Sequence, residues 1–282
     1  MIVHLIDGTY ELFRHFYGVR RFSKGEDPPF GAAIGVLNTV LQMVETGATH
    51  IGVATDFVIE SFRNELWPGY KTGAGIERAL WNQFRPVEDG LKAMGVAVWP
   101  MVELEADDGL ASAAHFAAND ATVAKVCIWT PDKDLAQCVQ GERVVQVDRK
   151  SGKVRDAAGV REKFGVDAPL IPDYLALVGD AADGYPGIPG IGAVTAARLI
   201  NKHGALEAFP ADVLGDNREL ALLFKKLATL RTDAPLFTNI DALLWQGPTS
   251  AFSEFVGRTG DQKLLARAEQ AARKISAGTA DS

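Results

Sequence analysis

Residues 2–8 read Ile2-Val-His-Leu-Ile-Asp-Gly8, an apolar run that stops at an aspartate and a glycine. A short run rich in β-branched residues is typical of a buried strand. The helical pattern of residues 10–18 follows at once, and a strand followed by a helix is typical of a parallel sheet. Asp7 is therefore expected at the carboxyl end of a strand, where such sheets form their sites.

The same pattern recurs along the first half of the chain. Further strand-like runs cover residues 50–54, 96–100 and 124–130, and residues 107–118 have a helical pattern. Strands at this spacing with helices between them predict an α/β fold, a mostly parallel central sheet flanked by helices.

After about residue 165, helical patterns replace the strand-like runs, as in residues 173–178, 193–203, 217–231 and 262–275. We therefore predict two regions. Residues 1–165 form an α/β core with an insertion around residues 62–92, and residues 166–282 form a helical subdomain.

Composition excludes several classes of protein. A chain of 282 residues with 47% hydrophobic and 23% charged residues folds into a globular core and is not disordered. No apolar run approaches the roughly 18 residues of a membrane span, and the start has no basic leader, so we expect a cytoplasmic protein that contacts no membrane. Cys127 and Cys138 lack metal-ligand spacing and are expected to be free thiols.

Acidic residues follow the predicted strands. Because the carboxyl ends of parallel strands share one edge of a sheet, these side chains are expected to meet. A crowd of carboxylates without His or Cys selects Mg²⁺ or Mn²⁺, and two such ions support phosphodiester hydrolysis. The candidate ligands are Asp7, Asp56, Glu105, Asp107, Asp108, Asp132 and Asp134, joined by Asp180 and Asp183 further along the chain.

Each acidic group alone has a simpler explanation. Residues 105–108 suit a helix N-terminus, residues 132–134 suit a turn and helix cap, and residues 180–183 suit a solvated turn. Their joint occurrence favours metal binding. The net charge of −7 opposes nucleic-acid binding at first sight. If the nine carboxylates are subtracted from the 36 acidic residues, however, the acidic residues that remain are fewer than the 29 basic ones.

A glycine and proline motif, Tyr185-Pro-Gly-Ile-Pro-Gly-Ile-Gly192, precedes the helical pattern of residues 193–203. Such a turn leaves backbone N–H groups accessible at the helix start, where they bind phosphate without reading the base sequence. Arg198 and Lys202 on that helix add positive charge. A purely structural loop is the alternative.

Five ordered segments together resemble the 5′-nuclease superfamily, above all the N-terminal 5′→3′ exonuclease domain of bacterial DNA polymerase I and its stand-alone flap endonuclease relatives. The segments are Leu5-Ile-Asp-Gly8, Phe62-Arg-Asn-Glu-Leu-Trp-Pro-Gly-Tyr-Lys71, Glu105-Ala-Asp-Asp108, Thr130-Pro-Asp-Lys-Asp-Leu135, and Leu177-Val-Gly-Asp-Ala-Ala-Asp183 joined to Pro186-Gly-Ile-Pro-Gly-Ile-Gly192. The resemblance implies a divalent-metal-dependent 5′-nuclease that hydrolyses DNA near 5′ ends or 5′-flap junctions.

The resemblance also implies roles for single residues. The nine carboxylates would hold two or more Mg²⁺ ions, with Mn²⁺ as a substitute, and Lys71 and Arg63 would act on the scissile phosphate from a helical arch. The DNA contacts would come from Arg14, Tyr70, Gly187, Gly190, Gly192, Arg198 and Lys202. The turn at residues 185–192 would form a helix-hairpin-helix type element that holds K⁺.

The resemblance further implies a monomer that acts on DNA with 5′ ends, flaps or nicks, with a DNA polymerase working in trans. Two departures from the family pattern stand out. Thr72-Gly-Ala-Gly75 replaces basic and proline residues after Lys71, which implies a more mobile arch, and Ala193 and Val194 replace an acid and a lysine.

Three other functions compete with this one. A PIN-like ribonuclease uses a similar acidic cluster on RNA, but that class is usually shorter and lacks the Gly187–Gly192 turn. A phosphatase with a DxDGT motif requires a nucleophilic aspartate where this chain has Leu5. A DNA-binding protein without catalysis would not need the complete acidic set.

Overall fold

The computed structural model describes residues 1–20 and 30–280, with side chains described within 1–18 and 30–275. Within these residues six strands form one sheet. They are β1 (Ile2–Asp7), β2 (His50–Asp56), β3 (Ala97–Met101), β4 (Lys125–Trp129), β5 (Val144–Val147) and β6 (Val154–Arg155). The strand order is β3-β2-β1-β4-β5-β6.

The sheet is parallel from β3 to β5, and only β6 runs antiparallel to its neighbour. This confirms the predicted fold class. The chain moves outward from β1 to β2 and β3, then returns to place β4 on the other side of β1. The carboxyl ends of β1 and β4 therefore flank the point where the winding reverses, which is where open parallel sheets form their sites.

Helices occupy most of the remaining described chain. They are α1 (Gly8–Arg20), α2 (Gly31–Glu45), α3 (Phe62–Leu66), α4 (Arg78–Trp81), α5 (Phe84–Ala93), α6 (Ala106–Asn119), α7 (Ala157–Phe164), α8 (Ile171–Val178), α9 (Ala193–His203), α10 (Ala211–Leu214), α11 (Arg218–Ala228), α12 (Ala251–Thr259) and α13 (Gln262–Ala280).

The two faces of the sheet are covered by different helices. On one face α1, α2 and α5 pack over Ile6, Ile51 and Val53, and on the other α6 packs over Val3 and Leu5. Side chains of successive strand residues point to opposite faces, so β1 contributes to both cores. The alternation in the sequence thus produces a sheet that is buried on both sides.

The helical part of the chain divides between two places. Helices α8, α9 and α11 share a core of their own, whereas α12 and α13 pack against α2 and α5 through Phe252, Phe255 and Leu264. The side chain of Arg267 donates to Glu45 and Asn38 and ties α13 to α2. The last part of the chain therefore covers the α/β core rather than extending the helical one.

The segment expected to carry an arch, residues 62–92, contains α3, α4 and most of α5, joined by turns, rather than one long helix. Thr72-Gly-Ala-Gly75 suits turns, because glycine disfavours a helix interior. Trp67 stacks edge-on against Phe224 of α11 at 5.1 Å and its indole donates to the Gly184 carbonyl at 3.0 Å. Trp67 therefore fastens the start of this segment to the helical region.

Two features of the sheet were not predicted from the sequence. Strands β5 and β6 are four and two residues long, too short for a pattern to stand out.

In the described residues no helix combines the length and apolar character needed to cross a membrane.

Candidate active site

Asp7 and Asp56 end the adjacent strands β1 and β2. Asp7 accepts hydrogen bonds from the Tyr10 amide at 2.8 Å and from the Thr130 hydroxyl at 3.1 Å. Asp56 accepts from the Ala106 amide at 2.8 Å. Burial raises the pKa of Asp7 to about 7, and the nearby Asp56 carboxylate acts in the same direction. These carboxylates are therefore held close together at the edge of the sheet where the winding reverses.

Two groups of three carboxylates lie beside them. Asp107, Asp132 and Asp134 can each offer one oxygen within 4.8 Å of the others, and the same holds for Asp134, Asp180 and Asp183. Asp134 belongs to both groups. Burial raises the pKa values of Asp107 and Asp134, and neighbouring carboxylates raise them further, with Asp132 the largest such contributor for both. A cation between them would relieve that repulsion.

Asp134 also has an unsatisfied oxygen. Its Oδ1 atom is buried and accepts no hydrogen bond. Buried carboxylate oxygens without a partner are rare, because each has lost its water without a replacement. An all-carboxylate donor set with such an oxygen at its centre fits a hard divalent cation such as Mg²⁺.

The turn after β4 positions Asp132 and Asp134. The Asp134 amide donates to the Asp132 carboxylate at 2.9 Å, and the buried side chain of Gln146 on β5 donates to the Asp132 carbonyl at 2.5 Å. Beyond α8, Asp180 exchanges two backbone hydrogen bonds with Tyr185 and pairs with the Lys133 ammonium. The second group of carboxylates is therefore fixed by a tight backbone bridge.

Lys71 lies between the carboxylates of Glu105 and Asp183. Its Nζ is 2.7 Å from Glu105 Oε2 and 3.0 Å from Asp183 Oδ1, and its side chain is 32% exposed. Burial alone would lower the pKa of Lys71, but Glu105 and Asp183 raise it well above its usual value. Lys71 is therefore a charged ammonium that reaches the open part of the site.

Arg63 and Asp108 form an ion pair. Both are buried, and the Arg63 guanidinium donates to both oxygens of Asp108 at 2.7 and 2.8 Å. The amides of Glu105 and Arg231 donate to the same carboxylate. In this structure each group is saturated by the other and by the backbone, and a metal role for Asp108 and a phosphate contact for Arg63 stay predictions.

Glu105 is also fully engaged. One of its oxygens accepts from Ser61 at 2.6 Å and Arg63 at 3.2 Å, and the other accepts from Tyr70 at 3.3 Å and Lys71 at 2.7 Å. Although burial opposes it, the charges of Lys71 and Arg63 lower the pKa of Glu105. In this arrangement Glu105 holds the Lys71 ammonium in an ion pair, and its role as a metal ligand stays a prediction.

Tyr70 and Arg14, two of the residues expected to contact DNA, contact glutamates of the protein in this structure. Tyr70 is 4% exposed and directs its hydroxyl at Glu105, so it presents almost no surface to a substrate. Arg14 is partly exposed, but its guanidinium pairs with the buried Glu11 carboxylate at 2.5 Å. In this structure the Tyr70 hydroxyl contacts Glu105, and a DNA contact of Tyr70 stays a prediction.

The open part of the site is a cleft of about 370 Å³. Its lining combines carboxylates, one cation and two aromatic rings. The lining residues are Asp7, Thr9, Tyr10, Phe13, Asp56, Lys71, Glu105, Ala106, Asp107, Asp132, Ala182 and Asp183. Reacting groups bound there would contact acidic oxygens and the Lys71 ammonium together.

The glycine and proline turn links α8 to α9. Gly187 and Gly190 have φ angles of 73° and 80°, a region that side chains disfavour, and a β-carbon on Gly187 would lie 2.4 Å from the Gly179 nitrogen. Gly192 stands before α9 with an ordinary φ of −89° and open space around it. Arg198 and Lys202 are exposed on α9, one turn apart.

Several supporting residues were not singled out from the sequence. Thr130 and Lys133 lie inside the segment Thr130–Leu135, and their polar side chains beside two aspartates were the available signal. Ser61 and Gln146 contact the site from other parts of the chain, and no local pattern marks them.

Comparison with known proteins agrees with this arrangement. Residues 2–165 match the family described as 5′-3′ exonuclease, N-terminal resolvase-like domain, and residues 166–251 match the family described as 5′-3′ exonuclease, C-terminal SAM fold. The two matches follow one another directly and together cover most of the chain.

Individual relatives show the same similarity. The chain is 33% identical over 248 residues to the 5′-3′ exonuclease of Buchnera aphidicola subsp. Baizongia pistaciae, with 81% of each chain covered. It is 35% identical over 259 residues to DNA polymerase I of Pseudomonas aeruginosa, covering 85% of this chain but only 28% of that protein.

Solved structures share the fold at low sequence identity. A T5 5′-exonuclease with bound divalent zinc ions superposes with a TM-score of 0.62 at 16% identity, covering 98% of both chains. The catalytic core of Rad2 with DNA substrate superposes with a TM-score of 0.61 at 14% identity, covering 94% of this chain and 92% of that one. With its fold, its carboxylates and the match over residues 2–165 in agreement, this chain belongs to the 5′-3′ exonuclease family of nucleases.

Proposed function

We propose that this chain is a divalent-metal-dependent 5′-nuclease that hydrolyses phosphodiester bonds of DNA near 5′ ends or 5′-flap junctions. The single observation that carries the proposal is that Asp134 is shared by two groups of three carboxylates. Two adjacent carboxylate sites suit the two-ion chemistry of phosphodiester hydrolysis. Family membership favours DNA over the RNA substrate of a PIN-like ribonuclease.

The carboxylates that line the cleft or belong to the two groups of three are the ones we assign to the metal. They are Asp7, Asp56, Asp107, Asp132, Asp134, Asp180 and Asp183. When bound there, Mg²⁺ ions, or Mn²⁺ in their place, would supply an activated water and stabilise the leaving oxygen. Asp108, which pairs with Arg63, and Glu105, which has four hydrogen-bond donors, would have to exchange these partners in order to bind a metal.

We assign Lys71 as the positively charged side chain that contacts the scissile phosphate. It is held between Glu105 and Asp183 while about a third of its side chain stays exposed in the cleft. A preorganised positive charge at that place stabilises the extra negative charge of a phosphoryl transition state. Arg63 supports Lys71 indirectly, through the Glu105 carboxylate that both of them contact.

Duplex DNA would bind at the turn of residues 185–192 and the start of α9. An N-terminus with accessible amides binds phosphate, and Gly187, Gly190 and Gly192 let the backbone approach. Arg198 and Lys202 are exposed on the same helix and would add to the attraction. We also propose that K⁺ binds at this turn, which would act as a helix-hairpin-helix type element.

The wider setting follows from the relatives. Because several of them are DNA polymerases I, we propose that a DNA polymerase acts in trans on the same DNA with 5′ ends, flaps or nicks. We further propose a monomer that works in the cytoplasm. The division into residues 1–165 and 166–282 is supported by the boundary between the two family matches, although α12 and α13 pack on the first region.

A cleavage assay on three labelled DNAs tests the proposal: a 5′-flap, a nicked duplex and a single strand. We expect Mg²⁺ and Mn²⁺ to support cleavage, and Ca²⁺ to support binding with little turnover, because its looser geometry suits catalysis poorly. Full activity in EDTA would refute metal dependence. Cleavage of RNA in preference to all three DNAs would refute the substrate.

A further inference from the structure

Trp67 and Lys71 lie at the two ends of a short turn that contacts the loop after α8. The Trp67 indole donates to the Gly184 carbonyl at 3.0 Å, and the Lys71 amide donates to the Asp183 carbonyl, also at 3.0 Å. Between these two hydrogen bonds the backbones touch, because a β-carbon on Gly184 would overlap the Gly69 carbonyl oxygen. The turn is therefore fastened at both ends to adjacent carbonyls of the loop that carries Asp183.

The turn is also braced internally. The Tyr70 amide donates to the Trp67 carbonyl at 3.0 Å, and the side-chain amide of Asn64 donates to the Lys71 carbonyl at 3.0 Å. Hydrogen bonds at both ends of so short a segment leave its backbone little freedom. A shift of Trp67 relative to Gly184 would therefore be passed on to Lys71.

The Trp67 side chain makes two kinds of contact at once. Its ring packs edge-on against Phe224 of α11 at 5.1 Å, and its N–H donates to Gly184. A phenylalanine could make the first contact but has no donor for the second. The indole N–H therefore fixes where the turn sits along the loop, which the packing of the ring alone would not do.

We infer that Trp67 is a positioning residue that sets the place of the Lys71 ammonium beside Glu105 and Asp183. The inference rests on the role proposed above for Lys71. The Lys71 Nζ lies 2.7 and 3.0 Å from those two carboxylates, and a preorganised charge is effective only where it is accurately placed. Because Trp67 also packs on Phe224, it connects the helical core to the ammonium in the cleft.

The test is Trp67→Phe, which keeps an aromatic ring against Phe224 and removes the N–H donor. Trp67 is only partly buried, so the variant should fold. Trp245→Phe is the matched control. The Trp245 indole likewise donates to a backbone carbonyl, that of Met94 at 2.8 Å, but it lies in the core that α2, α5, α12 and α13 share.

Each variant is made alone and combined with Lys71→Ala. Single-turnover cleavage of a labelled 5′-flap DNA is measured in Mg²⁺, the Kd for the same DNA is measured in Ca²⁺, and the melting temperature is measured in EDTA. The combination with Lys71→Ala forms a double-mutant cycle, which isolates the part of the effect that passes through Lys71.

We expect Trp67→Phe to lower the single-turnover rate about tenfold, less than the roughly hundredfold loss expected for Lys71→Ala, and to change the Kd little. In the Lys71→Ala background it should lower the rate no further, because the side chain that it positions is already absent. Trp245→Phe should lower the melting temperature at least as far, since Trp245 is fully buried, yet leave the rate unchanged in both backgrounds.

A rate for Trp67→Phe within twofold of the wild-type value would overturn the inference. An equal loss in the Lys71→Ala background would do so too, because Trp67 would then not act through Lys71. So would an equal loss in Trp245→Phe, which would indicate a general effect of lowered stability. An unchanged rate in Lys71→Ala, or a wild-type protein that does not cleave DNA in Mg²⁺, would instead overturn the proposed function on which the inference rests.

Discussion

The Arg63 guanidinium donates to both oxygens of the Asp108 carboxylate in a buried ion pair, at distances of 2.7 and 2.8 Å. Arg63 also donates to the Leu227 carbonyl at 2.7 Å, and Asp108 accepts from the Arg231 amide at 2.9 Å. The pair thus joins α3, α6 and the segment after α11. Arg63 also donates to Glu105, and Glu105 pairs with Lys71. The Arg63–Asp108 pair is therefore linked to the site through Glu105.

We expect Asp108→Asn to destabilise the protein by about 3–5 kcal/mol, because it leaves the Arg63 charge buried with only Glu105 to balance it. Urea unfolding in EDTA measures this. Arg161→Gln, which breaks an exposed pair with Asp167, is the control and should change stability little. Mg²⁺ should still raise the stability of Asp108→Asn. If Mg²⁺ did not stabilise Asp108→Asn although its fold was unaltered, Asp108 would be a metal ligand.

Asp134→Asn tests the shared ligand. We expect cleavage to fall by more than the roughly ten- to hundredfold typical of outer-shell partners, because a direct ligand of two ions is lost. Stability in EDTA should hold or increase, since one charge leaves a crowded cluster. Single-turnover cleavage and thermal unfolding give the two values. The exposed Asp89→Asn is the control, and a near-normal rate for Asp134→Asn would contradict the assignment.

Lys71→Ala should lower the single-turnover cleavage rate on the order of a hundredfold while changing the Kd for DNA little. The reason is that the ammonium, held by Glu105 and Asp183, acts on charge that develops only in the transition state. Both quantities are measured at two salt concentrations, with the exposed Lys92→Ala as control. A binding defect that fades with added salt would reduce Lys71 to a general electrostatic contribution.

Gly192→Asp should weaken binding to duplex DNA and raise the apparent KM, with less effect on single-strand cleavage. The position tolerates a side chain, since nothing lies within 4 Å of its β-carbon, and aspartate is a good N-cap, so the fold should persist. The introduced charge would repel a phosphate at the start of α9. Gly192→Asn, with the same shape and no charge, is the control, and equal losses on duplex and single strand would argue against a duplex contact.

The local parts of this structure could be predicted from the sequence. Each strand from β1 to β4 is a short, mostly apolar run, and the aspartates that end β1 and β2 had to lie at one edge once the strands were parallel. The helix over residues 193–203 follows from its glycine turn and its periodic pattern. These predictions succeeded because each depends on neighbours within about a dozen residues.

The partner of Asp108 could not be predicted in this way. The segment Glu105-Ala-Asp-Asp108 presents three carboxylates within four residues, and nothing local distinguishes them. On α6, however, Asp107 faces the cleft while Asp108 faces Arg63, 45 residues earlier in the chain. Adjacent residues of a helix point about 100° apart, so the direction of the helix decides which one can meet a cation.

The sequence by itself determined the α/β class, the carboxylates at the strand ends and the glycine turn before α9, because strand and helix periodicity and backbone freedom are properties of short segments. Only the tertiary structure decided that the Arg63 guanidinium pairs with Asp108 and that Asp134 belongs to both groups of carboxylates. It also decided that α12 and α13 return to cover α2. These features depend on contacts between distant residues, which form only when packing has brought the segments together.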